Sequence, residues 1–451
     1  MKMIRNRFSD TALRVGALAT ISYALNYSFQ LVDIFWVARI GLGASTAIAV
    51  VSSILFLIFS ANEIIGVGSL AMFSQSFGAK KLDQLSRIIL QTLLLKLAVG
   101  VVTILLFPVA IFIALRYYGL TPIEMAYVRE YASIIWVVLI LLPFVTTLMT
   151  ALRTTGQAVA PTVISILALV INAVLNPVLI FGWGSIPAMG VAGAAWATLV
   201  AEGFGVVVGV ILLARNQVGL KVFRGRNFGW APDLYWPLLT IGLPAAGVVV
   251  LYNSELAFLT ALVASFPSAV SDGFGIGARI YGFLFFINVG LSLGVSVAVG
   301  QAIGAKDPKA VWDGITWVIA VILGALTLMS AALILLAPII VSGFTSNPQS
   351  IDAAVTYLRF MAVANIGLVL MWMFIGVFEG AGCNGPSLRA TTVMYLMFEF
   401  PVLVLLWISG AYNLYLIWII VSITEWFGAF LIWRQFHVGS WASGLGDRLE
   451  T

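Results

Sequence analysis

The sequence is short of charge. Only 9% of its 451 residues are Asp, Glu, Lys or Arg, while 62% are hydrophobic. A soluble domain carries about a quarter charged residues, so a water-soluble fold of this length could not cover its surface. There is a single cysteine, Cys383, which excludes an intrachain disulfide. There is a single histidine, His437, near the C-terminus. Imidazole catalysis or a His/Cys metal cluster inside the apolar regions is thereby excluded. No phosphate-cradling glycine loop occurs, which removes ATP as the direct energy source. No run of alternating ten-residue segments occurs either, so the chain does not read as a β-barrel. Met1–Asp10 carries Lys2, Arg5 and Arg7, but no small-residue cleavage site follows the apolar stretch after it. The segment reads as a lead into the first span rather than as a signal peptide.

What the sequence does hold is long apolar runs. Spanning a bilayer takes roughly 20 apolar residues, and hydropathy gives twelve such spans, near 11–39, 44–73, 86–116, 126–152, 158–183, 190–214, 234–265, 271–301, 310–344, 352–381, 386–408 and 411–435. The basic residues test that count. With both termini in the cytosol, most Lys and Arg fall in inner segments, while Arg39, Arg116, Arg129 and Arg359 fall outside. That is the bias the positive-inside rule demands. The basic surplus therefore reflects topology, not nucleic-acid binding, and the expected location is a prokaryotic inner membrane. The expected fold is an all-α polytopic membrane protein of twelve transmembrane helices.

The chain also repeats itself. Gln75-Ser-Phe-Gly78-Ala-Lys80 closes span two and Gln301-Ala-Ile-Gly304-Ala-Lys306 closes span eight, 226 residues later. The same offset relates Gly16 to Gly242 and Gly156 to Gly382. Asn176-Pro-Val-Leu is echoed by Phe400-Pro-Val-Leu, and Glu202-Gly-Phe-Gly by Glu425-Trp-Phe-Gly. The longest polar connection lies between spans six and seven. It suggests an N-terminal lobe at 1–220, a cytosolic linker at 221–235 and a C-terminal lobe at 236–451. An even number of spans per half gives both halves one orientation, a plan in which transporters bind substrate between the repeats. The expectation is two six-helix lobes around a central cavity.

Acids at mid-membrane cost roughly 3 kcal/mol on insertion scales, so each needs a reason. Tyr23, Asn26, Gln30 and Asp33 form one polar stripe along span one. Span five carries Asn172 and Asn176, four apart, and span six carries Thr198 and Glu202, also four apart. Together with Asp33 these would offer a carboxylate, two amide oxygens and a hydroxyl. That set suits Na⁺, or equally a proton held in a hydrogen-bond network. In the second half, Glu255 occupies the repeat position of Phe29, flanked by Tyr252 and Asn253, and Asn288 lies in span eight. Tyr23, Asn26, Gln30, Glu202, Tyr252, Glu255 and Asn288 are the candidates for a substrate cavity. Glu63 and Glu399 are further acids within spans, and Lys96 and Arg279 are the bases there.

Several stretches taken in order resemble the multidrug and toxic compound extrusion family. They are Gln30-Leu-Val-Asp33, Gln75-Ser-Phe-Gly78-Ala79, Leu152-Arg-Thr-Thr-Gly156 with Pro161, Asn172-Ala-Val-Leu-Asn176-Pro177, Gly190-Val-Ala-Gly-Ala-Ala-Trp-Ala-Thr198, Gly242-Leu-Pro244 and Gln301-Ala-Ile-Gly304. The resemblance implies a V-shaped pair of lobes and a secondary antiporter. It would export bulky, often cationic organic compounds in exchange for H⁺ or Na⁺, working as a monomer among membrane lipids. It maps the coupling site onto Asp33, Asn172, Asn176 and Thr198, which would also be the metal ligands if Na⁺ is the ion. No catalytic residue and no cofactor is expected. The alternative is an exporter of lipid-linked saccharides, which would want a cationic cavity for pyrophosphate.

Overall fold

The computed structural model describes residues 2–41, 43–215, 219–223, 229, 231–439 and 441, the side chains of 2–6 and 56–61 excepted. Among the described residues, twelve helical passes follow one another. They are α1 (Lys2–Val37), α2 (Ala44–Gly78), α3 (Leu82–Tyr117), α4 (Pro122–Ile135 and Val138–Thr154), α5 (Val159–Phe181) and α6 (Gly190–Ala214), then α7 (Pro232–Val263), α8 (Ser268–Gly304), α9 (Pro308–Ser342), α10 (Pro348–Ala381), α11 (Gly385–Ser409) and α12 (Leu414–Val438). Each expected span has its helix. Nine are long and apolar enough to cross a membrane by length and composition among the described residues, and α4 makes a tenth if its two pieces count as one span. The chain is thus an integral membrane protein.

Two passes are irregular. The pieces of α4 meet at 49°. At that break the indole N–H of exposed Trp136 donates to the Ser133 carbonyl at 3.0 Å. In α11 the turns Val393–Glu399 are π-helical. Pro401 follows closely and has no N–H to give the carbonyl four residues back, which relaxes the α-helical ladder there.

The repeat seen in the sequence is built into the backbone. Lys80 and Lys306 both stand at φ 58, the turn that lets the chain reverse after α2 and α8. Ala79 N–H bonds the Gln75 carbonyl at 2.9 Å, and Ala305 N–H bonds that of Gln301 at 3.0 Å. Gly156 and Gly382 are both left-handed, at φ 84 and 72, where a side chain would be strained.

Contacts divide the chain into two compact units whose limits differ from the lobes suggested by the polar linker. One is Ile21–Gly242; the other joins Met1–Thr20 to Leu243–Thr451. The boundaries fall inside α1 and α7 rather than in the 221–235 segment, of which 224–228 and 230 lie outside the described residues. Two matched contacts explain this. In one unit a Cβ on Gly294 would run into the backbone carbonyl of Ala12; in the other a Cβ on Gly68 would run into that of Leu238. Gly68 and Gly294, like Ala12 and Leu238, are repeat partners. Each half therefore lends the first turns of its leading helix to the other half's unit, and a glycine lets the backbones close. Phe8 and Ala12 accordingly belong to the core formed by α7–α12.

Candidate functional site

The run Gly190–Ala201 is rich in small residues, and Ala194, Ala195, Ala197 and Ala201 are wholly buried. At Gly193 a Cβ would lie 2.5 Å from the Leu179 carbonyl carbon, so α6 can lie directly on α5 only because that position is glycine. This brings Thr198 beside Asn172 and Asn176, which share one face of α5 by their four-residue spacing. Asp33 of α1 closes the group. It is 7% exposed.

The carboxylate is well provided with donors. Asp33 Oδ1 accepts from Asn172 Nδ2 at 3.0 Å and from Asn176 Nδ2 at 2.7 Å. The second Asn176 N–H reaches Asn172 Oδ1 at 3.0 Å. Thr198 Oγ1 lies 3.2 Å from Asp33 Oδ2 and 3.1 Å from the Ala194 carbonyl. A hydroxyl has one proton and can give it to only one of these. With Asp33 ionised, Thr198 donates to Oδ2. With a proton on Oδ2, Asp33 donates to Thr198, and Thr198 donates to Ala194. Both charge states are satisfied without moving a heavy atom.

Sodium fits this arrangement less well. The cation would need amide oxygens, yet both asparagines turn their N–H₂ groups toward Asp33. Asn172 Oδ1 is already engaged, and only Asn176 Oδ1 is buried without a partner. A ligand shell of the kind expected from the sequence would require both amides to rotate.

The other nominated residues are placed variously. Tyr23 is half-buried, and the Arg153 guanidinium lies 5.8 Å from its ring centre. Asn26 and Gln30 are exposed on the surface of their unit, so the polar stripe is not held together as one buried group. Glu202 is half-buried within electrostatic reach of Asp33, as is buried Tyr131 of α4, which the sequence did not nominate. Asn288 is fully buried and donates to Asn365 at 2.9 Å, which in turn donates to Ser330 at 3.3 Å. Tyr252 stacks on Phe285 at 4.5 Å.

Glu255 is buried, in electrostatic contact with Glu399 and Glu425. Of these, Glu399 lies in the π-helical turns of α11 and is 0% exposed, and neither of its carboxyl oxygens has a hydrogen-bond partner. Thr424 is beside it but gives its hydroxyl proton to the Ile420 carbonyl at 2.9 Å. Glu425 accepts from the Tyr395 hydroxyl at 3.4 Å on one oxygen and nothing on the other. Spacing along the chain gave no sign of this cluster, because its members come from three different helices. Half-buried Glu63 of α2 lies within electrostatic reach of buried Lys96 of α3, which is 1% exposed and donates to Thr146 at 3.4 Å.

The sequence profile of the MatE family matches residues 19–178 and 244–405. "Probable multidrug resistance protein YoeA" of Bacillus subtilis is 28% identical over 292 residues, 64% of this chain. The chain spans 63% of that relative's length, just under two thirds. "Probable multidrug resistance protein NorM" of Bradyrhizobium diazoefficiens is 26% identical over 432 residues, covering 90% of this chain and 85% of the relative. Among solved structures, a MOP superfamily transporter from Pyrococcus furiosus superposes with a TM-score of 0.87 over 98% of each chain at 20% identity, a likeness of fold.

Proposed function

Since the chain belongs to the MatE family, whose members are transporters and not enzymes, we propose that it is a secondary antiporter exporting drug-like, often cationic organic compounds from the cytosol. Asp33 is the coupling group and H⁺ the coupling ion. The observation that carries this reading is the hydrogen-bond network closing on Asp33 from α5 and α6. It accommodates the arrival or loss of one proton at Oδ2 by redirecting a single hydroxyl.

In the proposed cycle, ionised Asp33 favours uptake of a cationic compound when the site faces the cytosol. A proton arriving from the opposite side cancels the charge, the compound leaves, and the two units return. A charge crossing the membrane field gains roughly 2.3 kcal/mol per 100 mV, enough to drive accumulation when coupled. The chain would act as a monomer in the inner membrane with both termini in the cytosol. Export of lipid-linked saccharides is disfavoured, because buried Lys96 is turned to Thr146 and has the Glu63 carboxylate within electrostatic reach to offset its charge.

Proteoliposomes with separately imposed pH and Na⁺ gradients test the proposal. Efflux of a fluorescent organic cation should follow the pH gradient and vanish in Asp33→Asn, while that variant keeps the wild-type melting temperature. Efflux driven by Na⁺ alone would overturn the choice of ion. Undiminished efflux by Asp33→Asn would overturn the site.

A further inference from the structure

One of the exposed basic side chains that have no partner among the described residues borders an apolar groove on the outside of the helices. Arg359 of α10 is exposed, and among the described residues it makes no hydrogen bond, ion pair or ring contact. It lies at one end of a shallow groove of about 410 Å³ between α10 and α12, lined by Phe360, Val363, Ile419, Ser422, Ile423 and Trp426.

The register of the two helices gives the groove a direction. Tyr357 packs on Trp418 at 4.9 Å, the Ser422 hydroxyl lies 3.4 Å from the Phe360 carbonyl, and Gly367 meets the Trp426 backbone. The helices therefore run parallel, with Arg359 nearer their N-terminal ends and Trp426 deeper. The one hydroxyl in the floor is no polar lure, since Ser422 donates to the Trp418 carbonyl at 2.7 Å. Val363, Ile419, Ile423 and Trp426 all expose apolar surface along the way.

Depth matters next. With 34 residues, α10 is roughly 51 Å long, well beyond the roughly 30 Å hydrocarbon core. Arg359 lies three turns in from Pro348, which places it just below the headgroups of one leaflet if the helix is centred. A long basic side chain there extends toward the phosphates while its stem stays on apolar surface.

We propose that this groove is a binding site for an anionic phospholipid, its phosphate on Arg359 and one acyl chain lying along Phe360, Val363 and Ile423 to Trp426. A headgroup of net negative charge neutralises a guanidinium that the protein leaves unpaired. A zwitterionic one brings its own cation to the same place. An organic cation of the transported kind is repelled there, so the site is distinct from the Asp33 centre.

Native mass spectrometry of the detergent-purified full chain, titrated with phosphatidylglycerol or phosphatidylcholine, tests this. Wild type should retain phosphatidylglycerol at least tenfold better than phosphatidylcholine. Arg359→Gln should bring the two lipids within twofold of each other. Ile423→Trp, which fills an exposed part of the groove and leaves the core alone, should weaken both. Absence of the preference in wild type, its survival in Arg359→Gln, or unchanged lipid retention in Ile423→Trp would overturn the proposal. Displacement of the lipid by millimolar inorganic phosphate alone would overturn the part played by the acyl chain.

Discussion

Asp33 and Glu399 are both carboxyls sealed inside a helical unit, and they are furnished in opposite ways. Asp33 faces two amide donors and a hydroxyl. Glu399 has no hydrogen bond on either oxygen among the described residues and only the Thr424 hydroxyl beside it, which is turned to the Ile420 carbonyl. The repeat shows how the difference arose. The position 226 residues after Asp33 is Leu259, buried at 3% exposure, and the echo of Asn176 is Phe400, whose ring packs on Phe258 at 4.8 Å. The second half has thus replaced a polar junction with apolar packing at the corresponding places, and it keeps its acids beside that junction. A shared scaffold carries two different interiors, one prepared to change charge and one not.

The strongest way to break this contrast is to make the first half resemble the second. Asn172→Leu combined with Asn176→Leu removes two donors from Asp33. Hydrogen bonds to charged groups are worth roughly 1.5–3 kcal/mol each, and about 1.4 kcal/mol is a factor of ten. Ion-driven efflux in proteoliposomes should fall more than tenfold. Efflux within twofold of wild type would show that Asp33 does not depend on these amides.

The next effect concerns the crossing helices. A Cβ at Gly242 would run into the Ile64 carbonyl, whereas at Gly16, its repeat partner, the nearest atom is Leu291 Cα at 3.2 Å. Gly242→Ala should therefore cost about 1–3 kcal/mol, as overpacking does, and Gly16→Ala distinctly less. Melting curves in detergent read the difference directly. Equal losses would mean that the two crossings are equally tight.

Much of this was legible in the sequence. The twelve passes follow from apolar runs, because the bilayer demands them. The Asp33 partners follow from Asn172 and Asn176 at helical spacing and from the small residues before Thr198. Three features were not legible. The unit boundaries lie in mid-helix, where the backbone runs unbroken through Ile21 and even through Gly242-Leu243-Pro244, and the tertiary contacts at Gly294 and Gly68 mark the crossings. The bend in α4 lies at Trp136 and Val137, neither of which is a helix breaker. The meeting of Glu255, Glu399 and Glu425 depends on three helices and has no local pattern at all.

A smaller effect is expected at Glu399. Glu399→Gln supplies an N–H₂ group and removes the possibility of an unpaired buried charge, which is costly in an interior. Efflux should stay within about twofold of wild type, since 1 kcal/mol is already a factor of about five, and the melting temperature should hold or rise. Loss of proton-driven efflux comparable to that of Asp33→Asn would erase the contrast between the two interiors.

The smallest effect is expected at the starts of α4 and α10, which are also repeat partners. Thr121 and Asn347 cap them, each followed by proline. Asn347 Oδ1 accepts from Gln349 N–H at 2.9 Å, a cap that does not titrate. At the other, Thr121 N–H and its hydroxyl both donate to Glu124 Oε2 at 2.8 Å. The backbone N–H first, then the hydroxyl, hold this exposed carboxyl below its ordinary value of 4.5. A depressed folded value means that the cap's contribution is complete above pH 4.5 and is lost as pH falls through the folded value. Glu124→Gln should accordingly lower the melting temperature slightly at pH 7 and by less at pH 3, while Asn347→Ala should lower it by the same amount at both. A Glu124→Gln effect that persists undiminished at pH 3 would show that the glutamate acts there through shape rather than charge.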